Sequence, residues 1–204
     1  MTKEPIDQLL NADHFPQMLS IGKARARLID SGPSEPPDLA GETYFNAITL
    51  AQEQIFIVTP YFVPTTDIIR AIRSAAHRGV DVHLVVPEKN NHHYAGMASK
   101  ALYEELLTAG VRIYHRHPPF IHAKAMVVDS CVALVGTANL DVRSLELNYE
   151  TTALIEDEAA IDKLKLMIHE DMDRSTEIVL SEWLHRPAIQ KLAENLSALM
   201  TPVL

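Results

Sequence analysis

The sequence predicts an α/β fold, a mixed, largely parallel β-sheet sandwiched between helices. Three observations predict it. Runs rich in β-branched residues recur at 54–58, 80–86 and 111–114, the mark of strands buried on both faces. Helical patterns separate these runs, as right-handed βαβ crossovers require. Beyond residue 120 the pattern changes to strands joined by short turns, which adds antiparallel pairing and makes the sheet mixed.

Each element follows in order. Residues 1–22 lack periodicity and read as a linker-like segment ahead of one domain over 23–204. Lys23 to Ile29 suits a short strand. Ser31 to Pro37 holds three prolines and a glycine in seven residues, which is turn chemistry. Over 40–53, Tyr44, Ala47, Ile48 and Ala51 form one helical stripe. Gln54–Val58 is a buried strand bounded by Pro60. Thr65, Thr66 or Asp67 can cap the next helix, with Ile68, Ile69, Ile72 and Ala76 inward and Gly79 as its stop. Val80–Val86 is a second strand, closed by Pro87 and followed by a polar loop at 90–93. Met97 to Ala109 reads as a helix ended by Gly110, and Val111–Tyr114 as a third strand. Phe120–Val128 and Val132–Val135 are strands around the turn Asp129-Ser-Cys131. Asn148–Ile155 is a strand and Asp157–Arg174 a helix led by acids, which suit its N-terminus. Over Ala188–Leu204, the residues Ile189, Leu192, Ala193, Leu196, Leu199, Met200 and Val203 recur at helical spacing, a stripe suited first to core packing.

Composition bounds the function. The chain has 204 residues, 47% apolar and 22% charged, an ordinary globular balance. Cys131 is the single cysteine, so no internal disulfide forms and a reducing compartment fits. The first ten residues carry Lys3, Glu4 and Asp7 and no apolar run, so no signal peptide is expected. No stretch approaches the roughly 18–20 apolar residues of a membrane span. The net charge of -9 argues against nucleic acid as a partner. That excess lies at the two ends. Residues 50–149 carry nine basic and nine acidic groups, so local cations there can still hold an anion.

The most informative stretch is Ile121-His-Ala-Lys-Ala-Met-Val-Val-Asp129. On a strand, His122 and Lys124 share a face about 6–7 Å apart, with Ile121, Ala123, Ala125 and Val127 on the other. A polar pair on an otherwise buried strand needs a reason. After the turn, Gly136-Thr-Ala-Asn139 adds a glycine for close approach, a hydroxyl at Thr137 and an amide at Asn139. Together these groups suit a tetrahedral anion. A bare His-x-Lys also fits an exposed strand edge.

The longer pattern is harder to dismiss. His122-x-Lys124, four residues, Asp129, six residues, Gly136-Thr-Ala-Asn139 resembles the HKD motif of the phospholipase D superfamily, with Thr137 where Gly or Ser is usual. Thr59-Pro-Tyr-Phe-Val-Pro64, the segment 109–114, Asn139-Leu-Asp-Val-Arg-Ser144 and Leu147-Asn-Tyr-Glu150 are similar to the C-terminal half of bacterial cardiolipin synthases. The resemblance runs from about Ala24 to Leu204.

The resemblance implies a phosphatidyltransferase acting on phosphatidylglycerol. His122, or its counterpart in a second motif, attacks the phosphodiester to form a phosphohistidine, and the other histidine acts as general acid. Lys124 and Asn139 hold the non-bridging oxygens with Thr137 and Gly136 assisting. Glu150 orients the histidine, and Asp129, at the turn, is structural. Tyr61 and Phe62 line a lipid cleft or serve as core aromatics. No cofactor or metal is required. Water in place of the acceptor alcohol makes the same site a phosphodiesterase, a lipid hydrolase or nuclease.

The superfamily uses two motifs per site, and this sequence holds one His-x-Lys. A homodimer, a separate N-terminal HKD half, or an inactive remnant each accounts for that. The protein is expected at the cytoplasmic face of the cell membrane, in peripheral contact. Other candidates have plainer readings. His115, His117 and His122 suggest a zinc site without cysteine support. His92-His93 reads as a binding loop or a solvated one, and Arg143 as a pocket group or an acid's partner. The acidic run 156–158 reads as a helix N-terminus.

Overall fold

The computed structural model describes Gly22, residues 24–33 and residues 39–199. The linker-like reading of 1–22 (Gly22 apart), the later part of the proline-rich turn, and Met200 and Val203 of the tail lie outside the described residues.

The chain opens with β1 (Ala26–Ser31) and α1 (Leu39–Leu50). The βαβ region follows as β2 (Gln54–Val58), β3 (Phe62–Val63), α2 (Thr66–His77), β4 (Asp81–Pro87), α3 (His93–Ala101), α4 (Tyr103–Ala109) and β5 (Arg112–Arg116). Next come β6 (Ala125–Val128), β7 (Val132–Gly136), β8 (Leu140–Asp141), a π-helical turn (Arg143–Leu147) and β9 (Glu150–Ile155). The chain continues through α5 (Glu158–Asp173), β10 (Ser175–Glu177), α6 (Leu180–Leu184) and α7 (Ala188–Ala198).

Eight strands form one mixed sheet in the order β1-β9-β7-β6-β2-β4-β5-β10, and β3 pairs with β8 separately. Helices flank the sheet on both faces, as expected. Within the eight-stranded sheet, parallel pairing is narrower than expected: it is confined to β2–β4 and β4–β5, where helical crossovers return the chain in the same direction. The other pairs of that sheet are antiparallel, and β3–β8 is parallel.

Side-chain alternation in β2 serves both cores. Ile55 and Ile57 join Ile48, Ile72, Leu84, Leu106 and Ile113 beneath α1, α2 and α4. Phe56 and Val58 join Val85, Ile161 and Ile168 beneath α5. Each such side chain contributes roughly 1.5–3 kcal/mol on burial.

The glycine stops behave as the sequence suggests. Gly79 and Gly110 hold φ of 91° and 99°, the left-handed region where a β-carbon is costly. Asp157 caps α5, its Oδ1 accepting from the Ala160 N–H at 2.9 Å. Thr65 is extended at the start of α2 but makes no side-chain cap. The helix expected over Met97–Ala109 starts earlier and is two helices that meet at Leu102.

The tail helix differs most in orientation. Its apolar stripe faces outward: Ile189, Leu192, Leu196 and Leu199 are exposed. Its buried side holds Ser197 and Glu194, whose Oε1 accepts from Arg186 Nη1 at 2.7 Å. Arg186 in turn lies over the Trp183 ring at 3.2 Å. A paired charge and a cation–π contact therefore replace the expected core stripe.

Candidate active site

The site forms where the central strands run out together. β2 ends at Val58, facing Ala125 at the start of β6, and Val135 near the end of β7 faces Ala125 from the other side. The expected strand over 120–124 therefore does not form. Pro118 and Pro119 lack an N–H for a ladder, and past Ala125 the sole remaining rung is the Gly136 N–H donated to the Lys124 carbonyl at 3.2 Å. Ile121 is half-buried and packs against the core beneath α5, as alternation assigns it, whereas Ala123 is exposed.

His122 is exposed on this irregular segment. The Lys124 ammonium folds back to it, 3.0 Å from Nδ1, 3.1 Å from Nε2 and 2.9 Å from the His122 carbonyl oxygen. Partial desolvation, and then the Lys124 charge, push the imidazole below its usual value. The ring is thereby kept neutral near pH 7, the form with a lone pair available for attack. Desolvation also lowers the Lys124 ammonium, while the charges of Glu150 and Asp141 oppose that shift. The structure thus brings His122, Lys124, Glu150 and Asp141 into one electrostatic neighbourhood. Glu150 accepts from Asn148 Nδ2 at 3.2 Å, and its field falls on Lys124.

Gly136 is required by the protein itself. A β-carbon there would meet the Thr151 carbonyl oxygen at 2.3 Å and the Thr152 Cα at 2.7 Å. The close approach is that of β9, and the space is already taken. Thr137 bridges the same two strands. Its N–H donates to the Thr151 carbonyl at 3.0 Å, and its hydroxyl accepts from the Thr151 N–H at 3.0 Å. The hydroxyl proton remains to donate. Asn139 Nδ2 donates to Ser144 Oγ at 3.2 Å, and its Oδ1 is buried without a partner. The second hydrogen of the amide nitrogen remains to hold a phosphoryl oxygen while the Ser144 bond fixes the side chain.

Asp129 has φ of 53° at the β6–β7 turn. Its carboxylate accepts from the N–H groups of Gln52, Glu53 and Gln54 at 3.1, 2.9 and 2.9 Å, fastening the turn to the entry of β2.

The two aromatic candidates part company. Tyr61 meets the His122 ring edge-on at 6.2 Å, and Phe120 lies 5.9 Å from the same ring. Phe62 is 1% exposed, packed in the core and paired in register with Leu140. It does not line the cleft, because β3 is buried at both of its residues.

The proposed zinc grouping does not assemble. His115 turns to the Tyr103 hydroxyl at 3.3 Å and His117 to Thr176 Oγ1 at 2.8 Å. Among the described residues no cluster of three or more His, Cys, Asp or Glu side chains is arranged to hold a metal. His92 joins the site's rim, edge-on to Tyr61 at 5.3 Å, whereas His93 opens α3. Arg143 is exposed on the π turn. Asp141 and Asn91 were missed by sequence reasoning. The signal for Asn91 was its place in a loop beyond the C-terminal end of a parallel strand, where α/β proteins gather functional groups.

Comparison with known proteins agrees with this geometry. Residues 44–172 match the family described as cardiolipin synthase, PLD-like domain. Cardiolipin synthase A of Edwardsiella ictaluri is 41% identical over 178 residues, 87% of this chain and 37% of that protein. The Klebsiella pneumoniae protein of the same name is 42% identical over 176 residues, 86% of this chain and 36% of its own. The chain thus spans little more than a third of the length of the curated relatives it matches. Among solved structures, the phospholipase D family member Nuc from Salmonella typhimurium superposes with a TM-score of 0.65 at 21% identity, covering 76% of this chain and 99% of that one. Phosphatidylserine synthase from Haemophilus influenzae superposes with a TM-score of 0.65 at 17% identity, covering 88% of this chain and 48% of the other. On the matched residues and on the strand-end histidine and lysine, the chain belongs to the cardiolipin synthase, PLD-like domain family.

Proposed function

We propose that residues 23–204 form a single domain supplying one half of a phosphatidyltransferase site of the cardiolipin synthase type. The observation that carries this reading is the Lys124 ammonium held 3.0–3.1 Å from both ring nitrogens of an exposed His122. The similarity to proteins named cardiolipin synthase A supports phosphatidylglycerol as the substrate.

A nitrogen of His122 attacks the phosphorus of one phosphatidylglycerol, and the bond to the terminal glycerol oxygen breaks. A histidine from a second motif gives that oxygen its proton. A hydroxyl of a second phosphatidylglycerol then returns a proton to that histidine and attacks phosphorus. The phosphorus–nitrogen bond breaks, leaving cardiolipin, free glycerol and unmodified His122. Lys124, joined by Asn139 and Thr137, offsets the charge gathering on the phosphoryl oxygens. Glu150 keeps Lys124 charged and in place. The second motif comes from another copy of the chain or from a separate N-terminal half. A phospholipid substrate supports peripheral contact with a membrane surface, and the reading assigns that contact to the cytoplasmic face. No described helix is long and apolar enough to cross it.

The test is incubation of the purified chain with phosphatidylglycerol vesicles, alone and with an N-terminal half, followed by lipid mass spectrometry. Cardiolipin together with glycerol is expected, and His122→Ala abolishes both. Phosphatidic acid in place of cardiolipin identifies water as the acceptor and a phosphodiesterase. Full transfer by His122→Ala refutes the assignment.

A further inference from the structure

The segment carrying His122 keeps a single rung to the sheet, from the Gly136 N–H to the Lys124 carbonyl, so something other than the sheet must hold the ring in place. Its neighbours are Lys124, Phe120 and Tyr61. Of these, only Tyr61 belongs to a different part of the chain, and it is fastened at several points. Its hydroxyl donates to Asn91 Oδ1 at 2.7 Å, and its ring meets His92 at 5.3 Å. The preceding carbonyl, that of Pro60, accepts from Asn90 Nδ2 at 2.9 Å. Its own carbonyl accepts from Thr59 Oγ1 at 2.9 Å, and the Leu140 N–H donates to that same Thr59 oxygen at 3.3 Å.

The loop beyond β4 is itself tied down by hydrogen bonds. The His92 N–H donates to Asn90 Oδ1 at 2.9 Å, an Asx turn. Asn90 lies so close to α3 that a β-carbon at Gly96 would come within 2.9 Å of the Asn90 Cβ. From α3 to His122 there is therefore a continuous path of contacts through Asn90, Asn91 and Tyr61.

We infer that the Asn91–Tyr61 hydrogen bond is a positioning device for His122. Asn91 and Tyr61 act as positioning residues for the nucleophile across two separate βα connections. The inference rests on the proposed role of His122 in transfer. Neither residue touches the reacting phosphorus in this scheme. Each acts by fixing the ring against which the imidazole stands. The charged and titratable groups that face His122 are Lys124, whose charge lowers it and which itself feels Glu150 and Asp141, and the ring of Tyr61 with His92 behind it.

The experiment compares Asn91→Ala, Tyr61→Phe and the double variant. Each single change removes the same hydrogen bond. Each should lower kcat about fivefold, the scale of one hydrogen bond, with KM nearly unchanged. The double variant should be no slower than the worse single variant. In parallel, nuclear magnetic resonance of histidine-labelled protein follows the His122 ring. Its titration midpoint should move upward toward the ordinary value in both single variants as the ring becomes better hydrated. Independent, multiplying losses in kcat overturn the inference, as does a His122 titration identical to that of the parent protein. A parent protein without transferase activity both alone and with an N-terminal half refutes the proposed function instead, and the titration alone then decides whether Asn91 positions His122.

Discussion

Asp129 allows a sharp separation of architecture from chemistry. It is the aspartate of the HKD motif, yet its carboxylate is occupied by three backbone N–H groups at the entry of β2. Asp129→Ala removes all three acceptor contacts and places a β-carbon without a polar group in the left-handed region at φ of 53°. A hydrogen bond to a charged acceptor is worth about 1.5–3 kcal/mol when buried. Gln52 and Glu53 are exposed, so water recovers much of that for their amides. A discounted sum of about 2 kcal/mol for the three contacts and something under 1 kcal/mol of added backbone cost gives a loss of about 2–3 kcal/mol. For a chain of this size the melting temperature should fall by about 5–10 °C. Asp129→Asn keeps the oxygen shared by Glu53 and Gln54 and tolerates the backbone, so its loss should be about 1 kcal/mol. Differential scanning calorimetry measures the order Asp, Asn, Ala. Transferase assays well below the melting range should find kcat preserved in both variants. The reasoning is refuted if Asp129→Ala melts with the parent protein, or if it loses activity as Lys124→Ala does while remaining fully folded.

Other substitutions probe the site and the sheet. His122→Ala should abolish transfer and leave the melting temperature almost unchanged, since the ring is exposed; calorimetry and lipid mass spectrometry check both. Lys124→Met should lower kcat roughly a hundredfold or more by removing the cation from the phosphoryl oxygens, measured at saturating substrate. Gly136→Ala should cost about 3 kcal/mol, because its β-carbon would meet backbone that cannot move aside; denaturant titration reads the loss. Burial, with Lys100 and Arg186 adding to it, pushes His115 down to about 4. A depressed imidazole stabilises the fold above its ordinary value of about 6.5, and that stability is lost as pH falls toward 4. His115→Phe should flatten the decline in stability over that range, as followed by melting temperature against pH.

The parts of the fold that the sequence made legible are those governed by local rules. Gln54–Val58 emerged with the boundaries it has in the structure because its burial on both faces leaves an uninterrupted apolar run. Gly79 and Gly110 marked helix ends because only glycine takes the left-handed conformation cheaply. The tail helix shows where local rules stop. Periodicity located an apolar stripe, but periodicity does not say which side faces the core. Glu194 is buried there because Arg186, eight residues earlier, is positioned to meet it. β10 is a three-residue strand held to β5 by a fork from Arg112 to Glu177, at 2.8 and 2.9 Å. So short a segment carries no periodicity to detect.

The site was legible as a composition and misread as a geometry. Strand alternation put His122 and Lys124 on one face, yet no strand exists there. They meet because the long lysine stem curls back over the imidazole. In the proposed reaction the flexible four-carbon stem of Lys124 would let the charge contact the ring before attack and move with the oxygens once the phosphorus–nitrogen bond forms. What frees the segment is the termination of its neighbours. Pro60 lacks the N–H to continue β2 alongside Lys124, and β7 ends at Gly136, which is pressed against β9 and gives Lys124 its last rung. The residues that end these strands thus open the position in which His122 and Lys124 can work.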